Sequence, residues 1–392
     1  MTKKEESRQL IKYKCEELFD KGHNLCLEHA TGCGKTLSAI NLQARMNSQK
    51  TFICVAEIAH IQNWKDEYIK HGYEHLLELT EIFCYASLKN YANQSADLLI
   101  LDEIHHAWSN ARTFLLTSIR VKRVIGLSAT LEDNHKYLFN DIFKNMSIYT
   151  ITMEEAIEME ILPKPKVYLI GLELDNSNKS ETINFKRGKN IKEIHCDYLQ
   201  RNTYIYAKSK YPTLNLIIHC TQKEKYDYID AEYNRAAMYK RTGWLRYGGV
   251  RKKYLSDCKT KKLEEITENL IFQDKRFICF CGSIEQCNYL GGENSINSDK
   301  KHSKLTLQKF NNREISNLFS VKMGVEGLNL EGIECGIIGQ LDGTERPFIQ
   351  KNGRMLRAEF PEIYVLYFQN TKDEDYLQNV INAIPEEYLI KL

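Results

Sequence analysis

The stretch His29-Ala30-Thr31-Gly32-Cys33-Gly34-Lys35-Thr36 constrains the fold more than any other in the 392 residues. The apolar run Asn24-Leu25-Cys26-Leu27 before it predicts a buried strand, and Leu37-Ser38-Ala39-Ile40-Asn41-Leu42 after it predicts a helix start. Strand, glycine loop and helix, in that order, are what a phosphate-binding loop requires. Gly32 and Gly34 let the backbone curl with its N–H groups pointing inward, and the helix N-terminus adds partial positive charge. Thr31, Gly32, Cys33 and Gly34 would then cradle phosphate oxygens, Lys35 would reach the β- and γ-phosphates, and the Thr36 hydroxyl would ligate Mg²⁺. His29 departs from this pattern, whose first position is usually Gly or Ala. Cys33 sits near a helix N-terminus, where thiol pKa values tend to fall. A reactive thiol that alkylation would block and an inert loop thiol are both open there.

The chain is too long for one ordinary core and fits two domains. Charged residues make up 27% and hydrophobics 43%, a globular balance. With a net charge of +2, affinity for a polyanion must come from local patches. No apolar run reaches membrane-spanning length, and Met1-Thr2-Lys3-Lys4-Glu5-Glu6 is unlike a signal peptide. The 12 cysteines follow neither a zinc nor a disulfide spacing, which predicts buried thiols in a reducing, intracellular and soluble setting.

Residues 5–19 hold a helical pattern, and Gln9 lies 26 residues before Lys35. Its amide can match an adenine edge bidentately, or it is an ordinary exposed helix residue. Thr51-Phe52-Ile53-Cys54-Val55-Ala56 predicts a second buried strand. The helical spacing of Ile61, Trp64, Tyr68 and Ile69 favours Trp64 as a core anchor over a nucleic-acid stacker. Asp97-Leu98-Leu99-Ile100-Leu101-Asp102-Glu103 is a buried parallel strand that delivers two adjacent carboxylates at its C-terminal end, where open α/β sheets bind ligands. One carboxylate can hold Mg²⁺ and the other can polarise an attacking water. Val121–Thr130 predicts a further strand that ends in Ser128-Ala129-Thr130, whose hydroxyls can relay the state of a γ-phosphate or cap the next helix.

Ala30–Thr36, Asp102-Glu103-Ile104-His105 and Ser128-Ala129-Thr130 resemble motifs I, II and III of superfamily 2 helicases and translocases. The likeness is nearest to the UvsW-type, type III restriction and chromatin-remodeller-like branches. The resemblance implies that Asp102 holds the metal and Glu103 is the catalytic base. It implies that His105 couples hydrolysis to the nucleic-acid site, that Ser128 and Thr130 transmit lobe movement, and that Gln9 reads adenine. Ser87 falls where the family contacts a nucleic-acid strand.

The fold it implies is α/β: two tandem RecA-like parallel-sheet domains, 1–150 and 166–392, joined by a linker over 151–165. The second domain carries a helical, Tyr- and basic-rich insertion at about 175–265. Ten of the 23 tyrosines fall between Tyr198 and Tyr254, and ten Lys or Arg accompany one acidic residue between Arg235 and Lys262. Lys240, Arg241, Trp244, Arg246 and Arg251 suit a surface that tracks phosphates and stacks bases, with a solvated helix face as the plain alternative.

Beyond the insertion, Phe277–Cys281 with Gly282-Ser283 resembles motif IV, which places Ser283 at the nucleic acid. Gly324-Val325-Glu326-Gly327-Leu328-Asn329 resembles motif V, and Gly327 would let the backbone approach a phosphate or ribose closely. Gln350-Lys351-Asn352-Gly353-Arg354-Met355-Leu356-Arg357 resembles motif VI, which implies a coupling role for Gln350. Arg354 and Arg357 are three apart and leave one helix face, as two guanidiniums aimed at one polyanion must. An arginine finger contributes about 10³–10⁵ in rate. The expected function is a nucleic-acid-dependent ATPase using Mg²⁺, acting as a helicase or duplex translocase on DNA rather than RNA. An RNA helicase and an ATP-gated clamp that does not move are the rival readings.

Overall fold

The apolar runs pair as parallel strands. In the computed structural model, residues 2–185, 192–210, 215–239, 243–299, 302–321, 330, 332–341 and 358–392 are described. The first sheet holds β1 (Asn24–His29), β2 (Thr51–Val55), β3 (Thr80–Cys84), β4 (Ser95–Leu101), β5 (Arg120–Ser128) and β6 (Met146–Ile151). Its order is β3-β2-β4-β5-β1-β6 and every pairing is parallel. Helices cover both faces, so the second half of β4 is apolar; Leu98 to Leu101 have no exposed surface.

Close packing behind the site depends on one glycine. A Cβ on Gly126 of β5 would lie 2.8 Å from Ile104 Cδ1 and 3.0 Å from Phe139. The missing side chain lets the segment after β4 settle against the sheet.

The chain passes to the second sheet over 152–165. A Thr152–Glu155 capping box starts the short helix Met153–Glu158. Its Ala156 and Ile157 are buried in one apolar cluster with Leu25 and Leu27 of β1 and with Val167 and Leu169 beyond. The second sheet holds β7 (Lys166–Leu172), β11 (Phe277–Cys281), β12 (Ser295–Ile296), β13 (Asn317–Val321), β14 (Cys335–Ile338), β15 (Glu362–Phe368) and β16 (Leu389–Lys391). Its order is β12-β13-β11-β14-β15-β7-β16, again all parallel.

Between β7 and β11 lies the Tyr- and basic-rich segment. It is not wholly helical: β8 (Glu181–Phe185), β9 (Glu193–Asp197) and β10 (Asn215–Cys220) form a separate three-stranded sheet in the order β8-β10-β9. The run Leu216-Ile217-Ile218 supplies the β-branched, apolar centre of that sheet. Helices lie at Arg201–Lys210, Gln222–Met238, Trp244–Cys258 and Thr260–Phe272. All twelve cysteines are free thiols. Among the described residues, no helix is long and apolar enough to cross a membrane.

A buried ion pair fastens this segment to the second sheet. Lys259 is 1% exposed, and its Nζ donates to Asp373 Oδ2 at 2.6 Å and to the Gly339 carbonyl at 3.0 Å. Removing one member of such a pair strands the other charge. Lys259→Met should therefore cost about 3–5 kcal/mol in urea unfolding, and a loss below about 1 kcal/mol would contradict the pair's anchoring role.

Candidate ATP-binding site

The glycine loop after β1 has the backbone its sequence requires. Gly32 and Gly34 have φ of 97° and 81°, values that L side chains avoid. Gly34 precedes the helix Lys35–Met46, and a Cβ added to it would meet nothing within 4 Å. The loop thus opens onto free space at a helix N-terminus, a fit for phosphate. Lys35 is folded back, its Nζ donating to the His29 carbonyl at 2.8 Å. Thr36 is half-buried on the first helical turn.

His29 is fully buried rather than at the loop mouth, with its ring edge-on to Tyr149 at 4.9 Å. Neither ring nitrogen has a partner, and burial, aided by the Lys35 charge, drives its pKa down to about 3. The unusual first position is therefore filled by a neutral core side chain. Cys33 corrects the reactive-thiol reading: it is buried, and burial outweighs Lys35 and Arg8 to push its pKa up to about 11.

The two carboxylates leave β4 as expected. The Asp102 N–H donates to the Cys54 carbonyl at 2.9 Å, and Tyr85 Oη donates to the Asp102 carbonyl at 3.1 Å. Its side chain accepts from Trp64 Nε1 at 2.9 Å. Glu103 follows with φ 46° and ψ 58°, a left-handed conformation costing a non-glycine residue about 1–3 kcal/mol. That turn starts the short helix Ile104–Ala107 and sets Glu103 Oε2 3.5 Å from His105 Nδ1. The His105 and His106 rings lie 4.4 Å apart.

After β5, Ser128 is fully buried. Its Oγ donates to the Thr130 carbonyl at 2.7 Å, and the Thr130 N–H returns to Ser128 Oγ at 3.3 Å. The next residue is held by Glu28, which the sequence reading passed over. Its carboxylate accepts from Leu131 N–H at 2.8 Å and Thr150 Oγ1 at 2.9 Å, and meets Lys136 Nζ at 3.1 Å. A glutamate inside an apolar strand was the available signal, since a buried carboxylate needs such partners.

The outlying candidates differ. Gln9 is exposed on the helix Lys3–Asp20, its Nε2 donating to Tyr13 Oη at 3.2 Å. Arg8 beside it is near enough to Cys33 for its charge to act on the thiol. Ser87 is half-buried in the turn after β3. Ser283 caps the helix Ile284–Gly291 and donates to Asp257 Oδ1 at 3.3 Å. Trp244 and Arg246 are exposed at the start of Trp244–Cys258, whereas Arg251 is corrected as a nucleic-acid contact. It is 3% exposed, paired with Asp230 and stacked 4.1 Å from the Tyr233 ring. Lys240, Arg241, Gly327, Gln350, Arg354 and Arg357 lie outside the described residues.

Comparisons with known proteins match both halves of the chain. The family described as "Type III restriction enzyme, res subunit" matches residues 2–90, and "Helicase conserved C-terminal domain" matches 258–359. The DNA 3'-5' translocase XPB2 of Sulfurisphaera tokodaii is 23% identical, over 88% of this chain and 77% of its own. A protein of Invertebrate iridescent virus 6 named as a helicase, 161L, is 24% identical over 52% of each chain. The solved helicase domain of Pyrococcus furiosus Hef aligns over 95% of this chain and 97% of its own, with a TM-score of 0.47 and 14% identity.

The buried His29 has a consequence for stability. The unfolded chain protonates this imidazole below its ordinary pKa of 6.5, whereas the folded chain resists until about 3. Its contribution is present above pH 6.5 and is lost as pH falls through that window, at about 1.4 kcal/mol per pH unit. Urea unfolding of His29→Leu should show a shallower acid-side decline than the parent; parallel curves would contradict the assignment.

Proposed function

We propose, for a chain that belongs to the superfamily 2 helicases and translocases and so hydrolyses ATP, that the hydrolysis drives it along or through duplex DNA. The observation that carries this reading is the meeting of the glycine loop, the Asp102-Glu103 turn and the Ser128–Thr130 turn at one edge of one parallel sheet. Strands two positions apart are separated by ~10 Å, a span that a triphosphate with its cation bridges. DNA is favoured over RNA by the likeness to a protein named as a DNA translocase. Exposed Trp244 beside exposed Arg246, a stacking ring next to a cation, suits nucleic acid of either kind.

The working units are 1–150 and 166–392, with 151–165 as the joint. Lys35 exchanges the His29 carbonyl for the β- and γ-phosphates when ATP enters. Thr36 and Asp102 would hold Mg²⁺, which when bound would supply positive charge at the γ-phosphate. Glu103 takes the proton of the attacking water, and its strained backbone together with His105 fixes where that carboxylate stands. Gln9, whose one side-chain partner among the described residues is a tyrosine hydroxyl on its own helix, turns to the adenine. Gly327 approaches the nucleotide through its backbone. Arg354 and Arg357 reach the γ-phosphate from the second unit, and Gln350 couples that contact to the nucleic acid. Closure of the two units on ATP and release after hydrolysis then give two states with different grips on the strand.

An ATPase survey over duplex DNA, forks, single strands and RNA tests the substrate. Duplex or forked DNA should stimulate most; stronger stimulation by RNA would favour an RNA helicase. A triplex-displacement assay tests movement, and no ATP-dependent displacement would favour a clamp. Lys35→Ala should lower turnover by more than ~100-fold, and unchanged turnover would overturn the phosphate-loop assignment. Glu103→Gln should lower turnover by about 10²–10⁴ while ATP binding persists. Loss of ATP binding instead would remove Glu103 from the role of base.

A further inference from the structure

The helix Ile58–Lys70 starts just past the end of β2 and buries two residues, Trp64 and Tyr68. Each is an aromatic ring with a polar tip, and the two tips reach different elements. Tyr68 Oη donates to Gln43 Oε1 on the helix that follows the glycine loop. Trp64 Nε1 donates to Asp102 Oδ2 at 2.9 Å. Packing alone does not require this. A leucine or phenylalanine fills a core position without bringing a donor that must be satisfied, whereas a buried indole N–H demands a partner. Here the partner is a carboxylate at the ligand edge of the sheet.

Asp102 is held at three points. Its main chain is fixed through Cys54 and Tyr85, and one side-chain oxygen is fixed through Trp64. The other oxygen, Oδ1, has no protein partner among the described residues. A carboxylate restrained in this way presents one lone-pair direction rather than a rotating pair of oxygens. Donors of this kind orient metal-binding carboxylates, and losing one typically costs about 10–100-fold in metal affinity or activity.

We infer that Trp64 is a positioning residue for the Mg²⁺-holding carboxylate: it aims Asp102 Oδ1 at the cation, and so sets the Mg²⁺ requirement of the ATPase. This rests on the reading of Asp102 as the metal holder. Trp64 touches neither ATP nor the ion. Tyr68 on the same helix bonds Gln43, two turns beyond the glycine loop, and does not face Asp102.

The test compares Trp64→Phe, which keeps an aromatic ring and deletes the donor, with Tyr68→Phe, which deletes a buried donor that does not face Asp102. The Mg²⁺ concentration giving half-maximal ATP hydrolysis should rise ~10-fold in Trp64→Phe, with the rate at saturating Mg²⁺ within ~3-fold of the parent. It should stay near the parent value in Tyr68→Phe. A shift common to both variants, or none in Trp64→Phe, would reduce Trp64 to a packing residue and overturn the inference.

A second readout needs neither turnover nor that variant. The chain has three tryptophans, so ¹⁵N-indole spectra of the parent carry three N–H signals, and Trp108→Phe and Trp244→Phe assign that of Trp64 by elimination. That signal should move when Mg²⁺ is added to the ADP-bound protein, and a signal that stays put would overturn the inference. Asp102→Asn separates the two levels of the argument. If it keeps the parent's Mg²⁺ dependence, the metal-holding reading of Asp102 fails. If it loses that dependence while Trp64→Phe keeps it, only the role of Trp64 fails.

Discussion

Strand β5 runs between β1 and β4, and this neighbour relation brings three loops that are far apart in sequence to one edge. β1 ends in the glycine loop, β4 in two carboxylates and β5 in two hydroxyl residues. Parallel strands all point the same way, so their C-terminal loops share an edge by construction. Antiparallel pairing of any one of the three would carry its loop to the far side and dismantle the site. The register agrees at single-residue level: Glu28 lies opposite Ser128, and Leu101 opposite Gly126.

A second layer of contacts converts proximity into geometry. Glu28 ties the end of β1 to the residue after Thr130 and to β6. Trp64 and Tyr85 pin Asp102 from two further elements. Gly126 makes room for Ile104, which lets the turn at Glu103 close tightly. That turn stores strain at Glu103, and the strain persists because the packed Ile104 and the bonded Asp102 leave the backbone no relaxed alternative. The candidate site residues are thus positioned by buried residues outside the motifs.

The sequence made the ligand edge legible because phosphate binding, metal binding and proton transfer each demand particular residue types at short spacings. The glycine loop, the Asp-Glu strand end and the hydroxyl turn are all local. Residues whose meaning lies in a distant partner were not legible. Glu28 looked like one polar position in a strand, and Trp64 like a core aromatic, because their partners lie 103 and 38 residues away. Cys33 misled for a related reason. Its place at a helix N-terminus is local, whereas the burial that raises its pKa is tertiary. Arg251 was read from a basic run, and the structure spends it on Asp230 and Tyr233. The small sheet β8-β10-β9 was hidden by composition, since tyrosines and lysines around it outweighed the short run at 215–220.

Everything in the proposed cycle depends on the glycine loop being the nucleotide site, with Lys35 as its moving part. A crystal structure of the protein with a non-hydrolysable ATP analogue tests this most directly. The account predicts the triphosphate against the backbone of Thr31 to Gly34, with Lys35 Nζ released from the His29 carbonyl, where it now donates at 2.8 Å, and bonded to the β- and γ-phosphates. An analogue bound elsewhere, or a Lys35 that keeps its bond to His29 with the analogue present, would contradict it.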